Sequence, residues 1–377
     1  MKVSKSQARV LSDALRVFFW QALKVAFKNP VQAWAFFRTV RRQRVAARIR
    51  SGWKERGVTV PPILIYSITN RCNLECKGCY ALAALEFSGN LVEGGEGELS
   101  DVRMREVVTE ANEMGVSFFV LAGGEPFIRP EIVDIIGDFP EIIFLVFTNG
   151  LLIDREMMVR LKARKNFVPM ISLEGDEAET DRVRGAGVFR RVEEVIAELK
   201  KENIFFGTSL TLTRATFDTI TEDRFINRLM ESGCRFFLFL EYTAVTEDTT
   251  DWALTDEQRS GVRDLMEAFR KRYKALFIAV PWEEEDVGGC LAAGRGFVHI
   301  NARGDVEPCP FAPFSDINIR DKSLAEGFQS ELLVKLRQNP ELLTETGGGC
   351  GLWRNRERVD EILKGIKEEG TVEKVEN

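Results

Sequence analysis

The chain has 377 residues, 45% hydrophobic and 29% charged, the balance of a globular protein long enough for two or three domains with cores of their own. Its single histidine, His299, excludes a two-histidine metal site and argues against a Ser-His-Asp triad; it stands in the alternating segment 296–301 and reads as a strand residue. Seven cysteines without a secretory leader argue against a disulfide framework and for a reducing, cytoplasmic setting.

The net charge of −6 divides unevenly, because residues 1–60 carry fourteen Lys and Arg against only Asp13 and Glu55, a local +12 that leaves −18 on the rest. Residues 5–28 place Leu11, Leu15, Phe18, Ala22 and Val25 on one helical face. Asn29-Pro30 reads as an N-cap and first-turn proline, opening a second helix to about residue 50. That helix starts aromatic (Trp34, Phe36, Phe37) and ends basic (Arg38, Arg41, Arg42, Arg44, Arg48, Arg50). Neither spans a membrane, since Arg16 and Lys24 interrupt the first and arginines fill the second. Three readings remain open: a helical pair lying on an anionic membrane surface, on its inner face; an extension packed on the rest of the chain with a solvated basic face; and nucleic-acid contact, for which no binding motif is recognised.

From residue 58 apolar strands alternate with helices. The strands are expected at 63–69, 117–122, 142–148, 167–173, 204–213 and 235–243, with helices such as 100–114, N-capped by Ser100, and 190–201. Such alternation argues for an α/β fold, a parallel sheet with helices outside it. The glycine-rich stretch 88–97 is a loop able to cover a site. Beyond an acidic connector at 246–251, Thr255 and Gln258 form a capping box that opens a linker helix to about residue 274. Residues 290–310 read as a hairpin turning at 302–305, with Cys290 and Cys309 at its ends; Cys350 follows in a glycine cluster. Cys234, at the entrance of an apolar strand, reads as a small buried residue.

Most of the chemistry lies in SITNRCNLECKGCY, residues 67–80, where Cys72, Cys76 and Cys79 occupy a tight loop at the carboxyl end of the first strand. A 4Fe–4S cluster ordinarily takes four thiolates, one per iron, so three cysteines leave one iron open to a substrate or cofactor. A structural zinc knot lacks its fourth Cys or His ligand here.

The CxxxCxxC spacing followed by an aromatic, Tyr80, resembles the signature of radical S-adenosylmethionine (SAM) enzymes. The resemblance implies a partial (β/α)6 barrel in which SAM chelates the open iron. One electron, from a donor such as ferredoxin or flavodoxin, then yields a 5'-deoxyadenosyl radical that abstracts hydrogen from an unactivated C–H bond. It also implies that Gly123, Gly124, Glu125 and Pro126 form the family's GGEP motif at the SAM amino group. Ser172 and Glu174 would face the ribose and methionine parts, with Glu174 where aspartate is more usual, and Arg184 the SAM carboxylate. Tyr80 and Asn149 complete the implied cofactor-binding set, although a simple turn explains Thr148-Asn149-Gly150 almost as well.

Residues 290–310 with Cys350 resemble the SPASM or twitch extension of that family, which implies an auxiliary 4Fe–4S cluster on Cys290, Cys309 and Cys350. A full SPASM domain carries a larger cysteine set for two clusters, so one auxiliary cluster is the most that follows; buried free thiols are the alternative. The expected organisation is a helical extension at 1–58, the barrel at 59–245, a linker helix at 246–280, a small C-terminal twitch/SPASM-like domain at 281–352 and a charged helix at 353–377. The expected function is radical SAM chemistry on a hydrophobic or membrane-associated substrate, a small molecule or lipid. A peptide or protein maturase is the alternative within the family, and a non-catalytic iron–sulfur electron carrier the alternative outside it.

Overall fold

The computed structural model describes residues 30–375 apart from 90–94, 96, 245–246, 287–288 and 345–349. The expected helix 5–28 and part of the segment 88–97 therefore lie outside the described residues. The first described element, α1 (Pro30–Glu55), runs beyond the expected end near residue 50.

The six expected strands are all present, each followed by helix. In chain order these are β1 (Ile63–Ser67), α2 (Tyr80–Ser88), α3 (Asp101–Met114), β2 (Phe118–Ala122), α4 (Ile132–Asp138), β3 (Ile143–Thr148), α5 (Arg155–Lys162) and β4 (Phe167–Leu173). There follow α6 (Glu177–Arg184), α7 (Val188–Lys201), β5 (Gly207–Leu212), α8 (Phe217–Thr221), α9 (Asp223–Glu231) and β6 (Phe236–Glu241). The remainder comprises α10 (Asp256–Arg272), β7 (Leu276–Val280), α11 (Trp282–Asp286), β8 (Phe297–Ile300), β9 (Val306–Glu307), α12 (Leu324–Phe328), α13 (Glu331–Gln338), α14 (Gly351–Arg354) and α15 (Arg356–Val375). Caps fix several starts: Ser100 accepts from the Arg103 amide, Asp154 from Met157, and Thr255 and Gln258 complete the expected capping box.

The chain divides into two compact units, and β3 is split between them. One contains Val45–Asn73, Cys79–Phe144 and Cys290–Asn377. Here β1 pairs in parallel with β2 on one side and with β8 on the other, and β9 runs antiparallel to β8. The predicted hairpin therefore extends the same sheet as β1. Helix α3 buries Met104, Val107, Val108 and Ala111, the i, i+3, i+4, i+7 stripe of an amphipathic helix.

The other unit contains Met1–Arg44, Leu74–Gly78 and Leu145–Gly289, with β4, β5, β6 and β7 side by side in parallel. β7 adds a strand beyond the six expected, because the run LFIAV after α10 pairs with β6. Alternate residues of β6 serve opposite faces. Phe236 and Leu238 pack with Met170 and Leu276, whereas Phe237 stacks on Phe277 at 4.8 Å and Phe239 lies 6.4 Å from Phe269 of α10. Each such fully buried apolar side chain contributes about 1.5–3 kcal/mol.

Candidate active site

The three thiols of the 72–79 loop are unbridged, Cys72 exposed and Cys76 and Cys79 half-buried. The approach from β1 is braced by a buried carboxylate that sequence reasoning missed. Glu98 Oε1 accepts from the Thr69 hydroxyl at 2.8 Å and from the Asn70 amide at 2.7 Å. Arg129, beside Glu98 Oε2 at 3.9 Å, donates to the Ile68 carbonyl at 2.8 Å and pairs with Asp101. Glu98 directly follows the glycine-rich stretch 88–97, which carries no periodic signal, so nothing local marks it.

Gly123 and Gly124 lie directly against this segment. The Gly124 amide donates to the Thr69 carbonyl and the Glu125 amide to the Arg71 carbonyl, both at 2.8 Å. A Cβ at Gly123, whose φ is +127°, would come within 2.3 Å of the Thr69 oxygen, and one at Gly124 within 2.0 Å of the Arg71 oxygen. Backbone of this closeness admits glycine only. Glu125 follows, 1% exposed, with Oε1 accepting from the Phe127 amide at 3.2 Å.

In the unit that holds residues 74–78, the Lys77 amide donates to the Val183 carbonyl at 3.0 Å. Gly78 adopts φ +66°, and a Cβ there would meet Tyr242 Oη at 2.9 Å and the Trp252 ring at 3.0 Å. Those rings lie 5.4 Å apart, and the Arg182 guanidinium sits 5.8 Å from Trp252. The same unit brings together Glu174 and Arg184. Buried Glu174 Oε1 accepts from Arg184 Nη2 at 2.6 Å and Nε at 3.1 Å. Ser172 is half-buried on β4 opposite Ser209 of β5. Asn149 Oδ1 accepts from the Leu151 amide at 3.0 Å and Thr148 Oγ1 from the Gly150 amide at 3.0 Å, the hydrogen bonds of a local turn.

Cys290 and Cys309 are each 7% exposed, and Cys350 is half-buried at the start of α14. The Ala293 amide donates to the Pro308 carbonyl at 3.1 Å, tying the segment after Cys290 to the residue before Cys309. Aromatic contacts organise the rest: Tyr80 lies 5.1 Å from Phe311, and Phe87 lies 5.6 Å from Phe314 and 5.0 Å from Trp353. Phe87 of α2 thus touches the segments that follow both Cys309 and Cys350. Burial, with smaller contributions from Cys79 and Cys309, pushes the Tyr80 phenol above its ordinary range.

His299 is a strand residue, as its pattern suggested, and it is also fully engaged. Nε2 lies 2.8 Å from Ser67 Oγ and Nδ1 2.7 Å from Glu307 Oε2. Cys234 is buried beside Thr208, its thiol pushed up to about 11 by loss of solvent. It is a core residue.

Among the described residues no three Cys, His, Asp or Glu side chains converge on a single metal ion. A cubane does not require that convergence, because each thiolate takes a different iron. Both cysteine sets consist of unbridged thiols on short glycine-containing segments, a donor chemistry that fits iron–sulfur ligation.

The chain is 24% identical over 318 residues to an AdoMet-dependent heme synthase of Methanosarcina barkeri, covering 78% of this chain and 88% of that protein. It is 27% identical over 328 residues to the mycofactocin maturase MftC of Mycobacterium tuberculosis, covering 79% and 76%. Its fold is similar to that of Streptococcus suis SuiB bound to the precursor peptide SuiA, with TM-score 0.60, 16% identity and 81% and 73% of the two chains covered. It is likewise similar to anSMEcpe with bound AdoMet and a peptide, with TM-score 0.57, 16% identity and 81% and 99% covered. Residues 66–236, which hold the cysteine loop, the GGEP turn and the first strands, match the Radical SAM superfamily, and the chain is an enzyme.

Proposed function

We propose that this enzyme uses a 4Fe–4S cluster and SAM to abstract hydrogen from an unactivated C–H bond of a peptide substrate. Cys72, Cys76 and Cys79 would hold the cluster, and Tyr80, Gly123, Gly124, Glu125, Pro126, Asn149, Ser172, Glu174 and Arg184 would hold SAM. When bound, the pair supplies one-electron cleavage of a sulfonium, the source of hydrogen-abstracting power.

The reading is carried by the fit of Gly123 and Gly124 against the backbone of Thr69 and Arg71, with a buried carboxylate next in line. That arrangement presents main chain and a negative charge to a ligand, as an ammonium group requires. The Arg184 guanidinium, steadied by Glu174, offers a planar fork for a carboxylate. Cys290, Cys309 and Cys350 would hold an auxiliary cluster able to accept an electron from a substrate radical. An external ferredoxin or flavodoxin would supply the reducing electron.

A peptide is favoured as substrate because MftC is named a maturase and both fold relatives were solved with peptides. The test is anaerobic reconstitution with SAM and deuterium-labelled peptide extracts, following label into 5'-deoxyadenosine. Label transfer from peptide is expected, and transfer only from lipid or small-molecule fractions would overturn the peptide reading. Replacing all three of Cys72, Cys76 and Cys79 with alanine should abolish SAM cleavage.

One observation favours a second reading, in which the enzyme works peripherally at the inner face of an anionic membrane. On α1, Val45 and Ile49 are 50% and 37% exposed beside exposed Arg44 and Arg48. No described helix is long and apolar enough to cross a membrane, so any such contact would lie along the surface. Liposome co-sedimentation of the full chain against residues 59–377 would test it; binding undiminished by truncation would defeat it.

A further inference from the structure

The chain's one histidine stands at the centre of a row of polar side chains that none of the roles above uses. In β1 and β8, Ile65 pairs with His299, so Ser67, two residues on, shares the face of His299. Across the hairpin His299 pairs directly with Glu307. The register thereby aligns three side chains that are 7%, 5% and 4% exposed: Ser67, His299 and Glu307. Both carboxylate oxygens are engaged, since Glu307 Oε1 accepts from Asn301 Nδ2 at 2.8 Å while Oε2 faces His299. With Nδ1–H directed at the carboxylate, Nε2 accepts from the Ser67 hydroxyl.

The two ends of this row lead to the two cysteine segments. Ser67 closes β1 five residues before Cys72, and Glu307 closes β9 two residues before Cys309. β9 has only two residues, and Pro308 after it has no amide to donate, so the Glu307 side chain joins the Ala293 amide on the Pro308 carbonyl in anchoring the approach to Cys309. We infer that His299 is a positioning residue, holding Glu307 against the end of β1 and so fixing where Cys309 delivers its thiolate. The inference rests on the reading of Cys290, Cys309 and Cys350 as cluster ligands. A cluster's potential and spectrum respond to the placement of nearby charge and hydrogen bonds, so such a role leaves a mark that simple support of the fold does not.

The test uses the full chain with Cys72, Cys76 and Cys79 replaced by alanine, so that reconstituted iron reports the auxiliary site alone. In this background His299→Gln places an amide near the former Nε2 and loses Glu307, whereas His299→Asn places one near the former Nδ1 and keeps it. The expected result is altered EPR g values and a moved midpoint potential in His299→Gln and His299→Leu, with His299→Asn close to the parent and Ser67→Ala between them. An unchanged spectrum and potential in His299→Gln, with the far-ultraviolet circular dichroism of the parent, would overturn the role of His299. If His299→Leu does not fold, the Gln and Asn pair decides. A parent that binds no iron would overturn the auxiliary site itself, and this inference with it.

Discussion

The segment of Cys72, Cys76 and Cys79 and the segment of Cys290 and Cys309 are built in opposite ways. The first is a loop with one exposed and two half-buried thiols, shaped from outside by glycine backbone and by Glu98. The second is a hairpin whose two thiols are buried and whose strand is continuous with β1. Exposure at the first suits a site that must admit a small cofactor and release its products. Burial at the second would keep solvent from the proposed auxiliary cluster, and solvent exposure is one determinant of cluster potential. With the proposed auxiliary cluster in place, openness and potential would be governed by different parts of one chain.

The largest expected effect that would sharpen this contrast comes from Gly124→Ala. Its Cβ has nowhere to go, because the obstructing atom is a main-chain oxygen at 2.0 Å. A shift approaching 1 Å in the loop should lower SAM cleavage about 100-fold, read as 5'-deoxyadenosine formed under reducing conditions. Iron bound by the auxiliary set should remain, and its parallel loss would mean that the two segments are not built independently.

Glu98→Gln should act more weakly. The amide can still accept from Thr69 and Asn70 but no longer carries charge opposite Arg129, which keeps Asp101 and the Ile68 carbonyl as partners. The expected destabilisation is about 1–3 kcal/mol in chemical denaturation, with SAM-cluster iron lost before auxiliary iron on mild heating. Loss in the reverse order would contradict the assignment of Glu98 to the first segment.

The smallest effect belongs to Cys234, which serves as a control for both. Its thiol is buried and pushed up to about 11, so it stays neutral at pH 8 and should resist iodoacetamide until the chain unfolds. Mass spectrometry of the native apoprotein should find label at Cys72 first. Early labelling of Cys234 would show that the β5–β6 region opens readily.

Much of this architecture was legible in the sequence because the strands are apolar and β-branched and their helices carry local start signals. Ser100 and Thr255 cap where they were expected to. Boundaries slipped where apolar content outlasted pairing: residues 204–206 read as strand, but β5 begins at Gly207, where pairing with Met170 and Phe236 starts. β7 falls in the expected linker, because a five-residue apolar run after a helix gives no sign of its partner. The Glu98 brace and the row through His299 were invisible for a related reason. Each joins residues far apart in sequence, 28 to 29 for Glu98 and 232 for Ser67 and His299, through a register that local patterns do not encode. The cysteines and the GGEP turn were readable because their spacing is short and their chemistry narrow.

The parallel pairing of β8 on β1 also bears on how the chain can be shortened. A fragment ending before Cys290 would lose the strand that satisfies β1 along Ile63–Tyr66, turning an interior strand into a bare edge of unpaired amides and carbonyls. Such an edge, flanked by Leu64 and Tyr66, invites pairing with other copies. A minimal fragment designed to retain only the cysteine loop and the strands before Cys290 would therefore tend to precipitate, and expression trials should keep the C-terminal hairpin.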